Sequence, residues 1–137
     1  MHFTYPQKIL FKHCDPAGIV FYPRFLEMLN DAIEAMFSEL LEWPFEAIHE
    51  QNAVPTAELN VRFRAPCRHG DQLELRCTLN HVGRTSLSLT TQAVGASAGD
   101  LRFEVDQRMV FTGPDGRPAP WPEAVRAKLN RLMEANR

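Results

Sequence analysis

Hydrophobic residues recur at two different spacings along this chain, and the change of spacing divides it into a helical part and a sheet-forming part. Between residues 23 and 42, apolar side chains follow the three-and-four spacing of a helix. The set covers much of the helix circumference, which is typical of a helix embraced by other structure. It comprises Phe25, Leu29, Ala32, Ile33, Met36, Phe37 and Leu40. Pro23 suits the first helical position, because its missing N–H would have no partner there.

From residue 54 onward, apolar and polar residues alternate, which predicts strands with one dry face. The apolar members fall in four successive segments: Ala57, Leu59, Val61 and Phe63; Leu73, Leu75, Cys77 and Leu79; Leu87, Leu89, Thr91 and Ala93; and Leu101, Phe103 and Val105, continued by Met109 and Phe111. The joints HVGRTS and GASAGD contain glycine and suit hairpins. Four half-buried strands in succession indicate an antiparallel sheet.

The two ends of the chain add one element each. Ile9 and Phe11 in QKILFKH predict a fifth strand ahead of the helix, and residues 122–133, beyond the proline-rich TGPDGRPAPWP, predict a short terminal helix. One sheet and one long apolar helix indicate an α+β fold in which the helix lies on the dry face of the sheet. We therefore expect a single domain spanning residues 1–137.

Composition and charge narrow the class of protein. The chain is 45% hydrophobic and 23% charged with a net charge of −2, which predicts no strong attraction to nucleic acid or to anionic membranes. The start of the chain lacks the apolar core of a signal peptide, and no apolar run approaches the ~18 residues of a membrane span. Cys14, Cys67 and Cys77 form neither an even set nor a CxxC pair, which argues against disulfides and zinc. We expect a cytoplasmic protein.

The segment FKHCDPAGIVFYPRF, residues 11–25, holds the candidate chemistry. Asp15 lies in a loop that leads to the N-terminus of the long helix, where free N–H groups and the positive dipole end can stabilise charge on a carbonyl oxygen. A carboxylate nearby could act on that carbonyl as a general base or a nucleophile. The alternative is that Asp15, Pro16, Ala17 and Gly18 merely form a turn with an Asx-type hydrogen bond.

The stretch HCDPAGIVFYPRF closely resembles the active-site segment of the 4-hydroxybenzoyl-CoA thioesterase family. Over most of the chain, the order of strand, loop, helix and four strands is also similar to that family's. The resemblance implies a hotdog fold, a long central helix wrapped by a five-stranded antiparallel sheet. It implies hydrolysis of an acyl-CoA thioester, with an aromatic, hydroxybenzoyl-type acyl group preferred. It also implies no metal, no cofactor besides the coenzyme A of the substrate, and an active site built between two subunits.

Residue by residue, the resemblance assigns Asp15 as the catalytic carboxylate and the Tyr22 backbone N–H as the donor that polarises the thioester carbonyl. Gly18, Ile19, Val20 and Phe21 match the segment that shapes the acyl pocket. His13 stands where the aromatic-acyl branch can carry an acidic residue; it either contacts the substrate or Asp15, or is an ordinary polar residue at a strand end. The Cys14 side chain should point away from His13 and Asp15 and pack as a small buried hydrophobic group.

Coenzyme A carries phosphates, which bind Arg or Lys. Arg84 in HVGRTS matches a basic hairpin of the family, and Arg62 and Arg64 follow as further candidates. Because another branch of hotdog thioesterases uses a carboxylate on the helix, Glu27, Asp31 and Glu34 are alternatives to Asp15, although a solvated or intersubunit face explains them as well.

Two rival functions use the same fold. One is a noncatalytic module that binds acyl-CoA or an acyl carrier. The other is a dehydratase, which usually needs a His and an acid on the helix side, and this helix has no His. An active site shared between subunits and sheet edges that need a partner both predict at least a homodimer. The expected larger assembly is a homotetramer built as a dimer of dimers.

Overall fold

The computed structural model describes residues 3–135 of the chain. Its elements follow the predicted order and confirm the α+β class with a terminal helix. They are β1 (Phe3–Lys8), a 3-10 turn (Phe11–His13), α1 (Pro23–Leu40), the short α2 (Phe45–Ile48), β2 (Thr56–Phe63), β3 (Gln72–Val82), β4 (Ser86–Gly95), β5 (Leu101–Val110) and α3 (Glu123–Ala135).

The five strands form one sheet in the order β1-β3-β4-β5-β2, with every pair antiparallel. Both predicted hairpins are present. The first closes with Gly83 N–H donating to Ser86 O at 2.9 Å, and the second with Gly95 N–H donating to Asp100 O at 2.9 Å. The order leaves β1 and β2 as the two edges of the sheet.

Helix α1 supplies the centre of the hydrophobic core. Seven of its side chains are buried, and the Phe25 ring lies with its centroid 4.5 Å from that of Phe103 on β5. Burying a side chain of this size stabilises the fold by about 1.5–3 kcal/mol. Lys128 on α3 donates to Leu41 O at 3.0 Å, where a cation suits the negative end of the α1 dipole. The sheet and α3 together hold α1 in place.

The predicted position of the first strand is wrong. Ile9 and Phe11 were expected to lie within it, but β1 ends at Lys8 and Phe11 lies in the 3-10 turn. The Leu10 N–H donates to His13 Nδ1 at 2.9 Å, and the His13 N–H donates to Leu10 O at 3.0 Å. These local bonds stop the extended chain and leave Phe11 in solvent while Ile9 is buried.

Strand β2 has the predicted face but not the predicted burial. Val61 lies opposite Val105 and Phe63 opposite Phe103, so the alternating apolar residues do share the core-facing side of the sheet. Leu59 and Phe63 are nevertheless 42% and 50% exposed. The reason is that β2 is an edge strand whose outer margin no other element between residues 3 and 135 covers.

The helices are too short or too polar to cross a membrane, and the cysteines form no disulfide among the described residues. Within residues 3–135, no helix combines the length and apolar character needed to cross a membrane. All three cysteines are free thiols, and burial raises the pKa of Cys67 and Cys77.

Candidate active site

Residues 13–21 form a small hairpin that carries Asp15 near its tip. Cys14 pairs with Val20, the Asp15 N–H donates to Ile19 O at 2.9 Å, and the Phe21 N–H donates to His13 O at 3.0 Å. Gly18 has φ of +81°, a conformation that other residues adopt at a cost, and this lets the chain reverse within four residues. The hairpin then leads directly into α1.

Asp15 keeps one carboxylate oxygen available. Its Oδ1 accepts the Ala17 N–H at 2.8 Å, so the Asx-type turn considered above is present. Its Oδ2 accepts no hydrogen bond from residues 3–135. The turn therefore orients the carboxylate without using it up, and the two interpretations of this segment are compatible.

The backbone N–H of Tyr22 is free at the start of α1. It makes no hydrogen bond within the described part of the chain, and the next residue, Pro23, has no N–H. Unpaired N–H groups at the positive end of a helix dipole stabilise negative charge on a nearby oxygen. Asp15 and Tyr22 N–H thus belong to one rigid segment that offers a carboxylate and a polarising donor.

Exposed hydrophobic side chains concentrate around this segment. The Tyr22 ring lies 6.1 Å from Phe63 and 5.7 Å from Phe21, and Phe25 lies 5.8 Å from Phe63, all measured between ring centroids. The exposed large hydrophobic residues of the described chain are Leu10, Phe11, Phe21, Tyr22, Leu59 and Phe63. All lie next to the Asp15 hairpin or on the β2 edge, a grouping that marks a binding or interaction surface.

His13 and Cys14 are held by the hairpin rather than directed at Asp15. His13 is 8% exposed, and its Nδ1 is occupied by the Leu10 N–H, with no hydrogen bond to Asp15. Burial, followed by the charge of Lys12, lowers the pKa of His13. Cys14 is half-buried against the core, and its Sγ lies 3.6 Å from Leu10 O. Val20 is buried in the core, whereas Ile19 is half-exposed and pairs with Arg68.

The loop between β2 and β3 supports the hairpin, and Arg102 holds this loop. The Val20 N–H donates to Cys67 O at 2.9 Å. Arg102 donates to Pro66 O at 3.2 Å and to Asp71 Oδ2 at 2.9 Å. The Arg68 N–H and then Arg102 lower the pKa of Asp71. Sequence reasoning missed this pair, because no short motif marks an arginine whose partner lies 31 residues away.

The arginines predicted for the CoA phosphates occupy three different environments. Arg62 is paired with Glu104 at 2.6 Å and Asp106 at 2.8 Å on the outer face of the sheet. Arg64 is exposed, and its side chain is unpaired among the described residues. Arg84 is exposed in the β3–β4 hairpin, roughly 30 Å along β3 from the end that adjoins the Asp15 hairpin. Arg84 could therefore serve the Asp15 site only from a second subunit.

The carboxylates on α1 do not line the aromatic surface beside Tyr22, although the charges of Glu27 and Asp31 act on the pKa of His13. Asp31 and Glu34 line a groove with Tyr5 of β1, whereas Tyr22 and Phe25 face Phe63 of β2. Glu27 is ion-paired with Arg24 at 2.6 Å. Within one subunit the structure brings Asp15, Gly18, Phe21 and Tyr22 together on one segment, and none of the helix acids is hydrogen-bonded to that segment among the described residues. Residues 3–135 contain no cluster of three His, Cys, Asp or Glu side chains arranged to hold a metal ion.

A model of the thioesterase-like superfamily matches residues 9–129, a range that includes the hairpin, α1 and all strands after β1. The chain belongs to this superfamily. The match confirms the resemblance drawn from the HCDPAGIVFYPRF segment.

Two named thioesterases are similar to this chain over most of its length. The chain is 25% identical over 129 residues to a 1,4-dihydroxy-2-naphthoyl-CoA hydrolase of Synechocystis sp., covering 88% of this chain and 89% of the relative. A Synechocystis 1,4-dihydroxy-2-naphthoyl-CoA thioesterase structure superposes with a TM-score of 0.88 at 23% identity, covering 97% and 98% of the two chains. A gentisyl-coenzyme A thioesterase structure gives a TM-score of 0.81 at 24% identity, covering 93% and 98%. These structures confirm the predicted hotdog fold.

The Arg102 contacts generate a stability prediction. Arg102→Met leaves Asp71 without its charged partner and removes a bond to Pro66 O, so we expect the free energy of unfolding to fall by about 2 kcal/mol in urea denaturation. Arg76→Met is the matched control, because Arg76 pairs with Glu74 on the same sheet face but is 39% exposed; its loss should stay below about 1 kcal/mol. Equal losses would show that Arg102 has no special role in holding the loop.

His13 generates a pH prediction. Its pKa is lowered in the folded state, so the stability it contributes is complete above the ordinary value of about 6.5 and is lost as the pH falls toward the folded pKa. Protonation at Nδ1 also breaks the bond from Leu10 N–H. His13→Asn retains an acceptor that does not titrate. Urea midpoints at pH 7 and pH 5 should therefore drop less in this variant than in the unmodified protein; an equal drop would contradict the assignment.

Proposed function

We propose that this protein is an acyl-CoA thioesterase that prefers an aromatic, hydroxybenzoyl-type acyl group. The observation that carries the proposal is the pairing of a carboxylate oxygen and a helix N–H, both free of hydrogen bonds within residues 3–135, on one rigid segment. Membership of the thioesterase-like superfamily supports the reaction class. A binding module would gain nothing from a carboxylate beside the acceptor carbonyl, since it adds negative charge there.

The reaction needs one polarising group and one carboxylate. The Tyr22 N–H donates to the thioester oxygen and stabilises the charge that develops on it as the carbonyl carbon is attacked. In one route an Asp15 oxygen bonds to that carbon, the C–S bond breaks, and water then cleaves the mixed anhydride. In the other, Asp15 removes a proton from water, the hydroxide attacks, and the departing thiolate takes the proton. Both routes yield the free acid and CoA thiol.

The surroundings of Tyr22 support an aromatic acyl group. Phe21, Tyr22 and Phe63 present exposed rings beside the proposed carbonyl position, and flat ring systems pack favourably on such side chains. The named relatives act on 1,4-dihydroxy-2-naphthoyl-CoA and gentisyl-coenzyme A, which are also aromatic thioesters. Gly18 and Ile19 would shape the entrance, while buried Val20 would act through packing and His13 through the geometry of the hairpin.

The exposed β2 edge supports a shared site. An uncovered edge with apolar side chains invites pairing with a second copy. We propose at least a homodimer, with a homotetramer as the larger assembly. A second copy at this edge would cover Leu59 and Phe63 and supply the walls of the active site that one chain lacks.

Asp15→Asn is the direct test of the catalytic carboxylate. The amide can still accept the Ala17 N–H, so the fold should persist, but it neither attacks nor takes a proton. We expect kcat for 4-hydroxybenzoyl-CoA to fall on the order of 10²- to 10⁴-fold, measured by release of free thiol. Cys14→Ala is the matched control within the hairpin and should change kcat little.

Two results would contradict the assignment. If Asp15→Asn retained more than about a tenth of the kcat of the unmodified protein, Asp15 would not be the catalytic carboxylate. Asp31 and Glu34 would then be the candidates to test. CoA thioester binding without turnover by the unmodified protein, across benzoyl, hydroxybenzoyl, phenylacetyl and straight-chain substrates, would favour the binding module. Single turnover in heavy-oxygen water can reveal the direct route, because an acid product without the label must have taken its new oxygen from Asp15, with water attacking the Asp15 carbonyl of the anhydride. A labelled acid is the product of base catalysis or of water attack at the acyl carbonyl.

The assembly is tested on the β2 edge. The unmodified protein should scatter light as a particle of at least twice the chain mass of 15.6 kDa. Leu59→Lys places a charge in the proposed contact and should produce the monomer, whereas Ser97→Lys, in the exposed β4–β5 turn, should not. A monomer for the unmodified protein at micromolar concentration would defeat the shared site.

A further inference from the structure

Phe11 is a large aromatic residue that the fold holds in solvent. Its side chain is 80% exposed, although its neighbours Ile9 and His13 are buried and anchor the turn on both sides. The Cys14 N–H donates to Phe11 O at 3.1 Å, which adds to the rigidity of the turn. The Phe11 ring centroid lies 5.9 Å from that of His69, in the loop between β2 and β3. The two rings form an aromatic surface that nothing else in residues 3–135 covers.

Unpaired cationic side chains lie beside this aromatic surface, whereas the nearby carboxylate of Asp71 is engaged by the Arg68 N–H and by Arg102. Residues 1–14 and 59–70 contain no Asp or Glu, although the whole chain carries a net charge of −2. The two segments meet here, since the Gly70 N–H donates to Ile9 O at 2.9 Å. The side chains of Lys12, Arg64 and Arg68 are exposed, and no ion pair or hydrogen bond engages them within the described residues. Unpaired cations beside exposed rings suit a ligand that combines a flat heterocycle with phosphate groups.

We infer that Phe11 and His69, with Lys12 and Arg68, bind the phosphorylated adenosine end of coenzyme A. The adenine would pack on the Phe11 ring, and the phosphates would accept hydrogen bonds from Arg68 and Lys12. This inference rests on the proposed function, which supplies a CoA thioester as the ligand.

The position fits one CoA molecule spanning both sites. Arg68 pairs with Ile19 in the hairpin that carries Asp15, and Lys12 precedes that hairpin by one residue. The flexible pantetheine arm would connect the thioester at Tyr22 N–H to the nucleotide at Phe11 without leaving this end of the subunit. Arg84, the cation that the sequence favoured, lies at the far end of β3 and could reach this surface only from a second subunit, and Arg62 is already paired with two carboxylates.

Binding of adenosine 3′,5′-bisphosphate, measured by calorimetry, tests the inference without relying on catalysis. We expect Arg68→Ala and Phe11→Ala each to weaken this binding by about tenfold, in line with one charge-assisted hydrogen bond or one stacked base. Arg117→Ala, a change at another exposed arginine, is the matched control and should have no effect. Undiminished binding in both Arg68→Ala and Phe11→Ala, or a loss confined to Arg84→Ala, would overturn the inference.

Kinetics with matched substrates separate this inference from the proposed function. Both variants should raise KM for benzoyl-CoA by about tenfold and leave KM for benzoyl-pantetheine unchanged. Equal effects on the two substrates, or a change of molecular mass with unchanged bisphosphate affinity, would show a structural role instead. If the unmodified protein binds the bisphosphate through Phe11 and Arg68 but hydrolyses no thioester, the nucleotide site stands and the thioesterase proposal fails.

Discussion

The burial of α1 is the constraint on which the rest of this structure depends. An 18-residue helix with seven buried side chains is not stable as an isolated helix in water. One face of the five-stranded sheet covers its apolar side chains. The start of the helix is thereby fixed against Phe63 and Phe103. The free N–H of Tyr22 and the dipole of α1 gain a defined position only because the helix behind them is anchored.

The Asp15 hairpin depends on a second, more local support. It docks on the β2–β3 loop, which Arg102 ties to the sheet through Asp71 and Pro66 O. Preorganisation of this kind would matter for the role proposed for Asp15, because a small displacement of reacting atoms costs a large factor in rate. The Asx-type bond from Ala17 serves the same purpose at the tip. The carboxylate that we propose to be reactive is therefore also the acceptor that forms the turn.

The distribution of exposed side chains links the fold to assembly and to ligand binding. The edge strand β2 leaves Leu59 and Phe63 uncovered, and the turn after β1 does the same for Phe11. On a single chain these residues look like incomplete burial. Because they lie beside a carboxylate, a free helix N–H and unpaired cations, they are the surfaces at which we propose that a second copy and a CoA thioester bind.

The sequence by itself determined the fold class, the long helix, the two hairpins and the segment with Asp15 and Tyr22, because periodicity and turn chemistry are local properties. The tertiary structure decided the rest. The end of β1 was set by a hydrogen bond from Leu10 to His13, the exposure of Leu59 by the place of β2 at the sheet edge, and the engagement of Arg62 by carboxylates on a strand distant in sequence. The support by Arg102 and the meeting of Phe11 with His69 join residues 31 and 58 positions apart. Such contacts arise when strands pair across the sheet, and no spacing along the chain encodes them.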